Sequence, residues 1–170
     1  MAQQFPELSD AHIQFIQQQK IFFVATATAD GRINLSPKGM DSLRVINKNS
    51  LIWLNVTGSG NETAIHIKEN PRMTLMFNAF EGNPLILRLY GQATAIHPKD
   101  TGWQKLYSAF PPLAGARQIF QLDIELVQSS CGMAVPFYDY KEERDQLNKW
   151  AEKKGEAGIK QYWADKNQIV

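Results

Sequence analysis

Cysteine is nearly missing from this sequence. The single one, Cys131, excludes an internal disulfide and any cysteine-rich zinc or iron–sulfur centre within one chain. An excess of one charge is missing too. The 18 Lys and Arg against 17 Asp and Glu leave a net charge of +1, so no global field draws in nucleic acid, an acidic membrane or a polyanion. Long apolar runs are absent, and "MAQQFPELSDAHIQFI" has no basic segment leading into a sustained apolar stretch. His12, His66 and His97 are scattered, with no H-x-x-x-H spacing or nearby carboxylate pair, which argues against a metal site and against a serine-type triad. These absences lead to the expectation of a cytoplasmic protein without metal, nucleic-acid or membrane partners.

What is present is a globular composition, 44% hydrophobic and 21% charged, in 170 residues. That length suits one domain, 1–170, with a core that needs no cross-links. Ser9 or Asp10 can cap a helix through "DAHIQFIQQQ", about residues 9–19. Two β-rich runs then flank Asp30-Gly31, a dipeptide that favours a type I′ hairpin turn, and "LRVINKNSLIWLNV" repeats the pattern around "NKNS". "RMTLMFNAF", "LILRLYGQATAI" and "IFQLDIELVQ" read as further strands, six or seven in all. Trp103, Leu106, Tyr107 and Phe110 share helical spacing between the last two. Only the short pattern "ETAIHIKEN" interrupts the earlier strands, and it stops at Asn70-Pro71. A parallel doubly wound sheet needs a crossover helix between successive strands, so this order favours an antiparallel barrel. From Lys141 the chain turns charged, predicting a docking helical tail over about 141–167, with a break near Gly155 and Gly158 and a neighbouring chain as a candidate surface.

Two segments carry chemistry. In "NVTGSGNETAIHIKENPR" the residues Ser59 and Glu62 have the spacing of a capping box, so the turn can simply start a helix. The same turn can instead hold a phosphate, with helix-start N–H groups and the side chains of Ser59, Asn61 and Thr63. It is not a P-loop, because Gly60 is followed by Asn61 rather than lysine, and it follows several hairpin strands where a Rossmann fingerprint opens the first βαβ unit. In "NLSPKGMDSLR" the residues Ser36, Lys38 and Arg44 supply donors and positive charge, or only a polar strand end. Arg88, inside "LILRLYG", faces solvent, an interface or an anionic ligand. Cys131 reads as a small buried hydrophobe without a catalytic base, and His66 as a surface residue.

Taken in order, "FFVATATADGRINLSPKGMDSLRVI", "LIWLNVTGSGNETAIHIKENPRMTLMFNAFEGNPLILRLYGQATAI" and "SCGMAVPFYDY" resemble the FMN-binding split-barrel family, the pyridoxamine 5′-phosphate oxidase-like flavoproteins. The resemblance implies a mainly β, α+β fold: a six-stranded antiparallel split β-barrel with peripheral helices, dimeric, holding FMN in clefts between two chains. It implies phosphate and ribityl binding by Ser36, Lys38, Ser59, Asn61 and Thr63. The backbone of Asn55, Val56 and Thr57 would lie near the polar edge of the ring, and Arg88 would reach the flavin from the partner chain. No catalytic side chain is implied.

The family's substrate-phosphate site has Tyr, Arg and Ser at four-residue steps, whereas the corresponding run here is Tyr107, Pro111 and Gly115, and the C-terminal Arg-x-His motif is missing. The expectation is a homodimeric FMN-dependent oxidoreductase, with NAD(P)H as a candidate electron donor, that does not oxidise pyridoxamine phosphate. The alternatives are a non-catalytic flavin- or haem-binding protein and a deazaflavin-dependent reductase.

Overall fold

Alternation in "FFVAT" buries Phe22, Val24 and Thr26 on one face, and this makes Phe22–Thr26 (β2) a strand with one side on a core. It lies one strand in from the edge of a hairpin-built sheet. The computed structural model describes residues 2–166, with β1 (Gln3–Phe5), α1 (Asp10–Gln18), β2, β3 (Asn34–Lys38), β4 (Leu43–Asn47), β5 (Ser50–Val56), α2 (Glu62–Glu69), β6 (Arg72–Asn78), β7 (Ile86–Ile96), α3 (Trp103–Tyr107), β8 (Ala116–Ser130) and α4 (Gln146–Lys166). The strands pair in the order β3-β2-β6-β7-β8-β5-β4, with β1 added on β8, and every pair is antiparallel.

Eight strands form where a six-stranded barrel was expected, and the sheet is not closed by pairing between β3 and β4. The strand with no counterpart among those read from the sequence is β1. It pairs with Val127–Ser129, on the edge of β8 that β5 leaves beyond Asp123. The edge position of β3 explains how Pro37 is tolerated, because proline has no N–H to give to a second neighbour.

The main core gathers Leu8, Phe22, Trp53, Phe77 and Phe120 with aliphatic residues of β5 to β8, and Trp53 stacks on Phe120 at 4.8 Å. A second cluster of Ile52, Leu54, Trp103, Phe110 and Ile119 covers the other face of β5. That second cover is why "SLIWL" is buried throughout instead of alternating. Trp103 and Phe110 are both in it, although α3 itself ends at Tyr107.

Gly91 marks a register shift between β7 and β8, where a Cβ would stand 1.9 Å from the Asp123 carbonyl oxygen. The close approach of the two backbones therefore requires glycine.

Several local expectations change. The β2–β3 hairpin closes at Thr26 opposite Asn34 with a longer loop over 27–33, and Gly31 does not take the positive φ of a type I′ turn. Positive φ occurs instead at Met40 (65°) and Asp41 (52°), in the turn between β3 and β4. The bidentate Arg44–Asp41 pair at 2.7 and 2.8 Å and the Ser42 hydroxyl on the Gly39 carbonyl at 2.6 Å hold that turn. His66 is buried and hydrogen-bonded to Thr26 Oγ1 at 3.1 Å, whereas Cys131 is exposed. Among the described residues no helix is long and apolar enough to cross a membrane.

The helical tail starts at Gln146, later than 141, and its expected last residue, 167, lies outside the described residues. Gly155, at φ 67° and ψ 172°, breaks α4 into two arms. Trp150 and Tyr162 from the two arms meet at 5.0 Å between ring centroids. In an unbroken helix they would be about 18 Å apart, so the tail doubles back on itself.

Candidate functional site

A cleft of about 610 Å³ opens where the edge of β3, the strained turn after it, the end of β5 and the start of α2 converge. Alternation along β3 sends Asn34, Ser36 and Lys38 into the cleft and leaves Leu35 outside, 62% exposed. The end of β5 contributes Asn55 and Val56, and the turn after it contributes Ser59 and Asn61. Thr63 follows from the first turn of α2.

Seven of the nine residues named from the sequence thus line one cavity: Ser36, Lys38, Asn55, Val56, Ser59, Asn61 and Thr63. Thr57 does not. It is buried behind the turn, where its N–H and hydroxyl both reach the Gly115 carbonyl, at 2.9 and 2.7 Å. Arg88 lies outside the cleft as well, donating to Ser130 Oγ at 3.2 Å. Arg44 is also outside it, stacked on the Phe110 ring and paired with Asp41.

Three features of the cleft have no purpose within the described chain. Ser36 Oγ is buried with no hydrogen-bond partner, a state that polar atoms seldom adopt without a ligand or ion to complete them. Gly58 and Gly60 have no positive φ, and a Cβ on either would meet no atom within 4 Å. Nothing in the fold demands glycine at these positions, and side chains there would fill space in the cleft.

The third feature is the start of α2. The Ser59–Glu62 capping box does not form: the N-cap is Asn61, and no side chain caps the helix. Asn61 Oδ1 instead accepts from Gln118 Nε2 at 2.9 Å, and Gln118 Oε1 accepts from Asn55 Nδ2 at 2.9 Å. The fully buried Gln118 therefore ties the end of β5 to the start of α2 and leaves the helix's first N–H groups to the cleft. Asn34 Nδ2 reaches Thr63 Oγ1 at 3.4 Å across the opening.

Lys38 supplies positive charge to the lining. Its ammonium lies 5.2 Å from the Trp53 ring centroid, and burial pushes its pKa below the ordinary lysine value. Glu62 brings the opposite charge to the same lining, and Leu147 and Lys166 of α4 complete it. A buried hydroxyl without a partner, a half-buried lysine and uncapped helix N–H groups make a donor set suited to a dianionic phosphate. Among the described residues no cluster of His, Cys, Asp or Glu could hold a metal ion.

Gln118 was not singled out in the sequence, although a signal exists: it is in phase with the core residues Phe120, Leu122 and Ile124 along β8, where a polar side chain needs a partner. Leu147 and Lys166 were also missed, because only folding brings them to the cleft, and Met40, two residues after Lys38, was passed over because its apolar side chain gives no chemical signal.

Comparison with known proteins agrees with this architecture. The family profile described as pyridoxamine 5′-phosphate oxidase matches residues 8–131. The pyridoxamine 5′-phosphate oxidase family protein ustO of Aspergillus flavus is 39% identical over 141 residues, which cover 79% of this chain and 56% of the relative. The chain thus spans little more than half the length of that relative. Among solved structures, a candidate pyridoxamine 5′-phosphate oxidase from Lactobacillus delbrueckii superposes with a TM-score of 0.59 at 21% identity, covering 72% of this chain and 94% of the other. An FAD-binding protein from Mycobacterium smegmatis superposes with a TM-score of 0.53 at 11% identity, covering 74% and 97%.

Proposed function

The chain belongs to the pyridoxamine 5′-phosphate oxidase family, and from that premise we propose that its cleft binds FMN and that two chains form a flavin-dependent oxidoreductase. The observation that carries the reading is Ser36 Oγ, a buried hydroxyl without a partner among the described residues, in a cleft that also presents Lys38 and the uncapped start of α2. Ser36, Lys38, Ser59, Asn61 and Thr63 would hold the phosphate and ribityl chain. The backbone of Asn55 and Val56 would run along the ring, and bound FMN would supply hydride and one-electron transfer there.

The residues of this chain then have separate tasks. Lys38 neutralises phosphate charge, Gly58 and Gly60 keep the backbone accessible, and Gln118 holds Asn55 and Asn61 in place. Thr57 supports the turn from behind. Arg88 is assigned to the cleft of a second chain. A second copy is also favoured by Ile33, Leu35, Met133 and Phe137, which stand 62 to 81% exposed and need cover.

Oxidation of pyridoxamine phosphate is not proposed. Tyr107 is engaged by the Leu113 N–H at 3.0 Å and by stacking on Trp103, and the two following steps are Pro111 and Gly115.

An absorbance scan of the purified protein, with mass identification of any released chromophore, tests the reading. Flavin bands with FMN released, and a dimer by light scattering, are the expected results. A colourless protein that takes up no added FMN would remove the flavoprotein assignment, and flavin that no nicotinamide reduces would remove an NAD(P)H donor.

A further inference from the structure

Among the described residues, cations line the cleft at only two places, Lys38 on β3 and Lys166 at the far end of α4. In sequence they are remote. Leu147 and Lys166 both line the cleft although 19 residues separate them, a span of about 28 Å in a straight helix. The break at Gly155 returns the second arm along the first and brings both ends to the same wall.

The doubled tail is fixed to the barrel at the turn behind the cleft. Trp163 Nε1 donates to Thr57 Oγ1 at 2.9 Å, and the Arg117 guanidinium lies 5.3 Å from the Trp163 ring centroid. Ala151 is 3% exposed and packs where a Cβ on Gly115 would stand 3.3 Å away. Ile159 of the second arm is 4% exposed. These contacts hold α4 against the segment that shapes the cleft, so the position of Lys166 is built into the fold.

We propose that α4 is a structural half of the phosphate site, with Lys166 the second cation that receives the flavin phosphate opposite Lys38. The charge balance gives it a reason. Glu62 faces the same cleft from the first turn of α2, and Lys38 alone would only offset it. With Lys166 the lining carries a net positive charge, as a dianion requires. The inference rests on the FMN reading and adds to it the recognition of the phosphate by the C-terminal helix.

Riboflavin, which has the ring and ribityl chain without the phosphate, separates the two ideas. The full chain is titrated with FMN and with riboflavin as wild type, Lys166→Ala, Lys166→Arg and Gly155→Ala. Lys166→Ala should weaken FMN binding by about fivefold to tenfold, leave riboflavin binding unchanged, and be rescued by Lys166→Arg. Gly155→Ala should weaken FMN in the same selective way. Its φ and ψ are open almost only to glycine, while no atom lies within 4 Å of the added Cβ, so its direct effect is on the doubling of α4 and, through it, on the docking of Trp163. Wild type that binds FMN with Lys166→Ala equal to it would overturn the proposal and leave the FMN reading standing. Equal losses for FMN and riboflavin would overturn it as well, because the lysine would then act on the fold and not on the phosphate. Wild type that binds neither flavin would overturn both.

Discussion

Ser36→Ala separates a binding hydroxyl from a structural one by the opposite signs of two measurements. Ser36 Oγ is buried and makes no hydrogen bond among the described residues, so the flavin-free protein bears the desolvation cost of that hydroxyl with no compensation there. An unsatisfied buried polar group costs about 1–3 kcal/mol, and alanine removes it while keeping the Cβ that the strand packs around. The flavin-free variant should therefore be more stable than wild type by about 1 kcal/mol, a rise in Tm of about 3 °C for a chain of this size. If the hydroxyl donates to a phosphate oxygen, its loss removes a charge-assisted hydrogen bond of about 1.5 kcal/mol, and the Kd for FMN rises about tenfold. The assays are thermal melts of flavin-stripped protein and a fluorescence titration with FMN. A flavin-free variant less stable than wild type by 1 kcal/mol or more would show that the hydroxyl is satisfied in the fold. Unchanged FMN affinity would remove Ser36 from the phosphate site.

The other expectations concern charge, backbone clearance and the buried amides. Burial holds the Lys38 pKa below its unfolded value, so between the two the unfolded chain keeps a proton that the folded chain has lost. Stability of the flavin-free protein should therefore rise with pH across that window, and FMN affinity should fall as the ammonium is lost. Chemical denaturation and FMN titrations over pH 7 to about 10.5 check this, and Lys38→Met should flatten both trends. Gly91→Ala places a Cβ 1.9 Å from a backbone carbonyl oxygen and should cost more than about 4 kcal/mol. Gly60→Ala meets nothing within 4 Å and should leave stability within about 0.5 kcal/mol of wild type while weakening FMN binding. Gln118→Leu leaves Asn55 Nδ2 and Asn61 Oδ1 without their partner and should cost about 2 kcal/mol in guanidinium unfolding, with a severalfold higher Kd for FMN.

The two halves of the site differ in how far they could be read from the sequence, and the reason is the distance over which each is assembled. Strands β2 to β8 were legible because hairpin order, turn residues and β-rich runs are local signals. The three-residue β1 was not, since "QQF" before Pro6 carries no pattern and is a strand only because β8 offers it an edge. The cleft residues on the barrel were legible because Ser36 and Lys38 alternate on one strand, and Ser59, Asn61 and Thr63 crowd one turn. The capping box failed for a long-range reason: Gln118, 57 residues from Asn61, takes the amide and holds the turn in another shape.

The same reasoning explains Thr57 and Lys166. Within "WLNVTGSGN" nothing distinguishes Thr57 from its neighbours, and its inward orientation is decided by the Gly115 carbonyl and by Trp163, 58 and 106 residues away. Lys166 reaches the cleft only because Gly155 reverses the tail and Trp163 fastens it to Thr57. Thr57 thus lies outside the cleft yet couples its two sides, the strand-and-turn side on the barrel and the helical side on the tail. Replacing it by valine keeps its shape and removes the acceptor for Trp163, so the loss should fall on α4 docking and on FMN more than on riboflavin. A Thr57→Val variant that weakened both flavins equally would mean that the turn, and not the tail, depends on this hydroxyl.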